Sequence, residues 1–261
     1  MKKENRPLSL KERKNIQLEM LKEIDVFCRK HEIKYSLAFG TLLGAIRHKG
    51  FIPWDDDVDI MMPLPDMLRF KELFHSETMK YCDVDTDKYF CFSFARIADT
   101  RTINKEGLIH NSYGICIDLY PVVAISDDDD QNAFFFEKAK KLEKRSDFFI
   151  KWRMRAVKYL PVRSIPFYRM AIKKLSNFTR YSYEYGKTNK YYIIAGPISL
   201  YKKMSYDFDM FEEMIEVYFE GFKFLSIANY DTYLTMRYGN YMQLPPESER
   251  HPYHGGNYYW K

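Results

Sequence analysis

From Ser9 to Lys30, apolar residues recur at Leu10, Ile16, Leu18, Leu21, Ile24 and Phe27, close to the spacing of one helix face. Ser9 precedes Glu12 by three residues, the arrangement of a capping box, which predicts where that helix begins. The apolar run from Tyr35 to Phe39 reads as a strand, followed by a Gly-Thr turn at Gly40-Thr41 and a short helix from Leu42 to Arg47. After a loop marked by Pro53, Val58-Ile60-Met61-Met62 reads as a second strand that carries Asp57 and Asp59. Pro65 to Lys80 reads as a helix, and Tyr89 to Ile97 and Gly114 to Val123 as strands rich in β-branched and aromatic residues. Ser126 with Asp127 to Asp130 reads as a helix start, because carboxylates in a first turn suit the helix dipole, and Gln131 to Phe148 continues helically.

From there to Phe224 the chain reads as mostly helical, broken at Pro161, Pro166 and Pro197. Leu244 to Lys261 is rich in Pro, Gly and aromatics and reads as irregular. No internal repeat is visible. The pattern predicts an α/β (α+β) fold: a small mixed sheet flanked by helices, with a mainly helical C-terminal half. The expected division is a core over residues 1–125 and a helical part over 126–261 that completes the substrate site.

The chemistry concentrates where the second strand begins. In a strand, alternate side chains share a face, so Asp57 and Asp59 are expected to point the same way. Two such carboxylates repel unless a cation sits between them, and hard oxygen ligands suit Mg²⁺ or Mn²⁺. Asp59 stands among apolar neighbours, where an unpartnered charge is costly. Asp118, between Ile117 and Leu119, meets the same argument and is the third candidate acid of a phosphoryl-transfer site; a turn-capping role before Pro121 is its structural alternative. Asp55 and Asp56 read as loop acids. Gly40 and Thr41 would let backbone approach a phosphate at a helix start, and Arg47, with a forked guanidinium, could reach a diphosphate. His48 and Lys49 are equally well explained as a solvated, cationic helix end. Arg96, in an apolar strand, is expected to pair with an acid or a phosphate, and Asp99 to build a turn.

Gly40 to Asp59 resembles the signature of the LicD/fukutin-type family of nucleotidyltransferase fold, G-x-L-L-G-x-x-R-H-x-x-x-I-P-W-D-D-D-x-D, with Thr41 where Gly or Ser is more usual. Ser93 to Thr102, Gly114 to Pro121, Phe219-Glu220-Gly221 and Tyr238 to Arg250 resemble its further motifs, with Asn240 in place of a more usual Asp. The resemblance implies a nucleotidyltransferase-like sheet and transfer of a phosphorylated alcohol from a CDP-activated donor to a glycan. Asp57 and Asp59 would hold metal, Asp118 would either help to bind that metal or take the acceptor proton, and Gly40, Thr41, Arg47, Trp54 and Arg96 would bind substrate. CDP-choline is the first expectation for the donor, with ribitol or glycerol phosphate donors and a true nucleotidyltransferase reaction as alternatives. A quaternary ammonium favours an aromatic cage, for which Trp54, Tyr113, Tyr120, Tyr238 and Tyr241 are available.

Composition adjusts this picture only at its margins. A hydrophobic share of 46% and a charged share of 30% support a packed core and argue against disorder. A net charge of +5 is too mild to imply nucleic acid. Cys28, Cys82, Cys91 and Cys116 show no paired spacing, so reduced thiols are expected, and with no signal peptide or membrane span visible the chain reads as cytoplasmic. Lys138 to Lys174 interleaves Phe148, Phe149, Trp152, Tyr159 and Phe167 with cations. That stretch is either an ordinary packed helix pair or a peripheral contact with an anionic membrane face, where a lipid-carried acceptor would be met.

Overall fold

The computed structural model describes residues 6–87, 90–105, 113–156, 165–195, 202, 204–252 and 256–261. The first helix, α1 (Leu10–Lys30), begins at the capping box: Ser9 Oγ accepts from the Glu12 N–H and the Glu12 carboxylate accepts from the Ser9 N–H. Its buried face carries Ile16, Met20, Leu21, Ile24 and Cys28, together with Gln17 and Asp25. Strand β1 (Ser36–Leu37), helix α2 (Phe39–His48), strand β2 (Asp59–Pro63) and helix α3 (Leu64–Leu73) follow.

Strands β3 (Met79–Cys82), β4 (Ala95–Asp99), β5 (Thr102–Asn104) and β6 (Cys116–Ile125) come next, then helices α4 (Asp129–Ala156) and α5 (Ile165–Tyr181). The chain returns through β7 (Lys190–Ile193), β8 (Ser205–Tyr206), the hairpin β9 (Met214–Phe219) and β10 (Phe222–Ile227), helix α6 (Tyr230–Tyr238) and β11 (Tyr258–Trp260).

The mixed α/β architecture follows the pattern of the sequence. A seven-stranded sheet runs β1-β2-β6-β4-β3, and β7, with β8 beyond it, joins the far half of β6. Only the β2–β6 pair is parallel among the described strand pairs of this sheet; the others are antiparallel. The long central β6 is why: its first half pairs β4 and its second half pairs β7, leaving its other edge to β2. β6 precedes residue 126 and β7 follows it, so the sheet draws strands from both sides of that point. A continuous core joins both, from Leu21 and Ile60 to Tyr192, Phe219 and Tyr233.

Several boundaries differ from the sequence reading. The helix expected from Pro65 to Lys80 stops at Phe74, which is extended, and Met79–Cys82 is a strand paired with β4. Ser76 Oγ, accepting from the N–H groups of Thr78 and Met79, makes the turn between them. The strand expected from Tyr89 begins only at Ala95, and Tyr89 itself lies outside the described residues. The stretch read as helical up to Phe224 contains β7 to β10, because alternating apolar and polar residues such as Val217, Phe219, Phe224 and Ser226 bury one face of a hairpin. Helices α4, α5 and α6 still make up most of the regular structure described after residue 126. The tail read as irregular contains β11, which pairs with β5.

Candidate active site

The acids gather where three strands meet. In the parallel register of β2 and β6, Asp59 pairs with Asp118, and in the antiparallel register of β6 and β4, Asp118 pairs with Arg96. Residues opposite one another share a face, so the row Asp59–Asp118–Arg96 crosses the sheet on one side. Arg96 Nε and Nη2 donate to the two Asp118 oxygens at 2.5 and 3.0 Å. Burial pulls the Arg96 pKa down, but the facing Asp118 outweighs it and holds the guanidinium above its ordinary value. Of the two partners expected for Arg96, the structure shows the acid.

Asp59 opens β2, so Asp57 precedes the strand rather than lying within it. The Asp59 N–H donates to Thr41 Oγ1 at 2.8 Å, which joins the first turn of α2 to the start of β2. Tyr120, two residues after Asp118 and therefore on the same face, donates its hydroxyl to Asp59 Oδ1 at 3.3 Å. Burial pushes the Asp59 carboxyl well above the usual range, and the charges of Asp57, Asp118 and Asp55 push it further.

Asp55, read from the sequence as a loop acid, belongs to this cluster. Burial first, then the Asp57 charge and a hydrogen bond shared with Asp57, raise it to about 7. Gly40 makes this possible, since a Cβ there would stand 2.5 Å from Asp55 Oδ2. The glycine expected to approach a phosphate thus gives room to a carboxylate; the uninterrupted Asp55-Asp56-Asp57 run was the sequence signal for it. Oxygens of Asp55, Asp56 and Asp57 lie within 4.8 Å of one another. Asp56 also faces α1, with Arg13 Nη1 3.7 Å from its Oδ2. The expected trio of Asp57, Asp59 and Asp118 meets as charges that act on one another, while the converging oxygens come from the preceding loop. These crowded carboxylates, with Asp55 and Asp59 both raised, form a hard-oxygen donor set that fits Mg²⁺ or Mn²⁺.

The remaining expected residues take other places. Arg47 Nη1 donates to the carbonyls of Tyr241 and Gln243 at 2.7 and 3.3 Å, tying α2 to the C-terminal segment. His48, whose pKa burial and Arg47 lower, lies edge-on to Trp54 at 6.4 Å, and the Arg250 guanidinium lies 5.6 Å from the Trp54 ring. The five aromatics considered for a cage are engaged separately. Tyr113 donates to Asp87, Tyr120 to Asp59 and Tyr241 to Asp231, while Tyr238 lies beside Arg237. Asp99 builds its turn, accepting from the Arg101 N–H and the Thr102 hydroxyl. In the Asp127–Asp130 run, Asp128 Oδ1 accepts from the N–H groups of Asp130 and Gln131 at the start of α4, while Asp127 accepts from the Asn189 N–H and Asp129 pairs with Lys190.

Two features escaped the sequence reading. Phe39, at the head of α2, has φ 44°, a left-handed conformation that costs a bulky residue about 1–3 kcal/mol. It is held by its N–H donating to the Tyr233 hydroxyl at 3.1 Å and by edge-on packing with Tyr120. At the other end of the site, the β9–β10 turn places Glu220 (φ 50°) and Gly221 (φ 81°) in the pair of positive-φ conformations that tight hairpins use. The Glu220 carboxylate accepts from the Phe51 N–H, the Glu220 N–H donates to the Lys49 carbonyl, and Gly50 leaves room for them. This hairpin, whose Phe219-Glu220-Gly221 turn stood out as a motif, therefore pins the loop that leads to the acids.

The family described as LicD/FKTN/FKRP, nucleotidyltransferase domain, matches residues 32–173, a span that includes α2, β2, Arg96 and Asp118. The chain belongs to the LicD family. A similar LicD relative is the lipopolysaccharide cholinephosphotransferase LicD of Haemophilus influenzae, 29% identical over 262 aligned residues, covering 95% of this chain and 96% of that protein. The uncharacterized protein RT0683 of Rickettsia typhi is 30% identical over 131 residues, 49% of this chain and 38% of its own length. The first of these extends the likeness beyond the LicD domain, over the hairpin and the C-terminal segment that brace the acids.

Proposed function

We propose that the chain transfers phosphocholine from CDP-choline to a hydroxyl of a cell-envelope glycan, with lipopolysaccharide, teichoic acid or capsule as the acceptor class, and releases CMP. The observation that carries this reading is the Asp59–Asp118–Arg96 row with Asp55 and Asp57 against it, in a chain whose full-length likeness is to a cholinephosphotransferase. Clustered, half-buried carboxylates of this kind suit a diphosphate only with a cation between them.

Asp57 and Asp59 would hold Mg²⁺ or Mn²⁺, with Asp55 and Asp118 beside them. When bound, the ion supplies charge neutralisation for the donor diphosphate. The acceptor oxygen attacks the phosphorus on the choline side. A phosphorus–oxygen bond forms there as the bond to the bridging oxygen breaks, and that electron pair leaves with CMP. The hydroxyl proton passes to Asp118, which Arg96 fixes in place through both oxygens. Thr41 holds the start of β2, so that Asp59 keeps its position through the reaction.

No described helix is long and apolar enough to cross a membrane. A peripheral contact with the cytoplasmic membrane face is supported by exposed Phe148 on α4 and Phe167 and Met170 on α5, among cations such as Lys151, Lys173 and Lys174. Tyr159 of the stretch considered for this role lies outside the described residues, as does the side chain of Trp152.

The test is incubation with Mg²⁺, an envelope glycan and a panel of CDP-choline, CDP-ribitol and CDP-glycerol, following CMP. Release of CMP with CDP-choline alone supports the reading. Preference for another CDP-alcohol would move the donor. Pyrophosphate from a nucleoside triphosphate, with no CMP from any member of the panel, would replace alcohol-phosphate transfer with nucleotide transfer.

A further inference from the structure

Beside the acids lies a cleft of about 190 Å³, whose lining joins Asp57, Arg96 and Asp118 to Arg13, Gln17 and Tyr258. Its polar groups are incompletely satisfied. Gln17 is 4% exposed on a helix face where only it and Asp25 are polar among the buried side chains. Its Nε2 donates to the carbonyls of Asp56 and Cys116 at 3.3 and 3.4 Å, which fixes the amide, and its Oε1 has no partner among the described residues. One turn earlier on α1, Arg13 directs Nη1 toward Asp56 and lies 5.5 Å from the centre of the Tyr258 ring, yet among the described residues its Nε too has no partner. A fixed buried acceptor and a buried donor left open in one cleft are costly to the fold unless a ligand completes them.

We propose that this cleft is the nucleobase pocket of the enzyme and selects cytosine. The inference rests on the CDP-alcohol reading above. Cytosine presents an exocyclic amino donor beside ring acceptors. Gln17 Oε1 accepts from the amino group, the Arg13 guanidinium donates to the ring acceptors, and Tyr113 and Tyr258 supply flat surfaces against which a base stacks. The volume is below the roughly 300 Å³ of pockets that enclose a whole ligand, which suits one flat ring with the phosphates toward Asp57 and Asp118. Uracil carries a carbonyl where cytosine carries the amine. It would set two acceptors against each other, and turning the amide to meet it would surrender both Nε2 hydrogen bonds.

Calorimetric titration of the full-length chain with CMP and with UMP, in the presence of Mg²⁺, tests the pocket apart from turnover. Wild type is expected to bind CMP at least about tenfold tighter than UMP. Gln17→Met, which keeps the side-chain volume, is expected to bring the two within about threefold. Tyr258→Leu, a second variant in case Gln17→Met fails to fold, is expected to weaken both nucleotides about tenfold and leave their ratio unchanged. Equal binding of CMP and UMP by wild type, or undiminished CMP binding by both folded variants, overturns the pocket even where CDP-choline is turned over. Normal CMP binding by the variants with a raised KM for the glycan would give the cleft to the acceptor instead. CMP binding that depends on Gln17, in a chain that transfers no alcohol phosphate, keeps the pocket and removes the transfer reading.

Discussion

Asp59 on β2 and Asp118 on β6 occupy paired positions in a parallel register, two carboxylates side by side on one face of the sheet. One is buried and touched by Tyr120; the other is gripped by Arg96. Their repulsion is built into the backbone pairing, so relieving it by neutralisation is a test of what the site is for.

Asp59→Asn and Asp57→Asn should each lower kcat by more than about 100-fold while leaving the fold intact. In metal-free buffer the melting temperature of Asp59→Asn should match or exceed that of wild type, because the substitution removes a desolvated, repelled charge. Turnover within a few-fold of wild type in either variant would take that residue out of the reaction.

Arg96→Met leaves Asp118 without its two hydrogen bonds in a half-buried setting and should cost about 3 kcal/mol of stability. Arg96→Lys should recover only part of this, since an ammonium lacks the planar fork. Urea denaturation measures both, and a double variant with Asp118→Asn should be more stable than Arg96→Met alone. A loss in the double variant as large as the two single losses added would show that the pair is not coupled.

Gly40→Ala pushes on the end of a flexible Asp55 side chain rather than on backbone. Stability should therefore fall by less than about 1 kcal/mol, whereas the half-saturating Mg²⁺ concentration should rise about tenfold. An unchanged Mg²⁺ dependence would exclude Asp55 from the cation site.

Acid sensitivity should arise away from the active site, at buried Asp83. Burial raises its pKa, but hydrogen bonds from Lys71 Nζ at 2.7 Å and from the Thr86 N–H at 2.8 Å outweigh that and hold the carboxyl below its ordinary value. A carboxyl lowered on folding stabilises the fold above its unfolded pKa of about 4, and the contribution is lost as pH falls through the folded value. Asp83→Asn should cost about 3 kcal/mol at pH 7 and flatten the acid limb of a melting-temperature profile below about pH 4. A profile identical to wild type would place the acid sensitivity elsewhere.

Vesicle co-sedimentation should show retention on anionic lipid at low salt that weakens as salt rises, at about 1 kcal/mol per Lys or Arg near the surface. A chain that stays in the supernatant under those conditions has in α4 and α5 an ordinary packed helix pair.

Features that rest on local chemistry were legible in the chain. The Ser9–Glu12 capping box and the apolar setting of Asp59 and Asp118 depend on neighbours a few residues away or on the cost of burying a charge, and both are written in order along the sequence, whereas Gly40-Thr41, read as a turn ahead of the helix, lies inside α2. Strands β7 to β10 were not legible, because their alternation is short and the burial that stabilises it comes from β6, α2 and β1.

The sequence by itself determined which residues carry charge where charge is expensive, and hence that Asp57, Asp59 and Asp118 need an explanation. Only the tertiary structure decided how those charges are shared. Asp55 joins the cluster because a glycine fifteen positions earlier lacks a side chain. Arg47 serves the C-terminal backbone, and Gln17, one polar residue on an amphipathic helix, comes to face a cleft through carbonyls of Asp56 and Cys116. Each of these depends on contacts between residues distant in the chain, and side-chain spacing along one element carries no information about which element will pack against it.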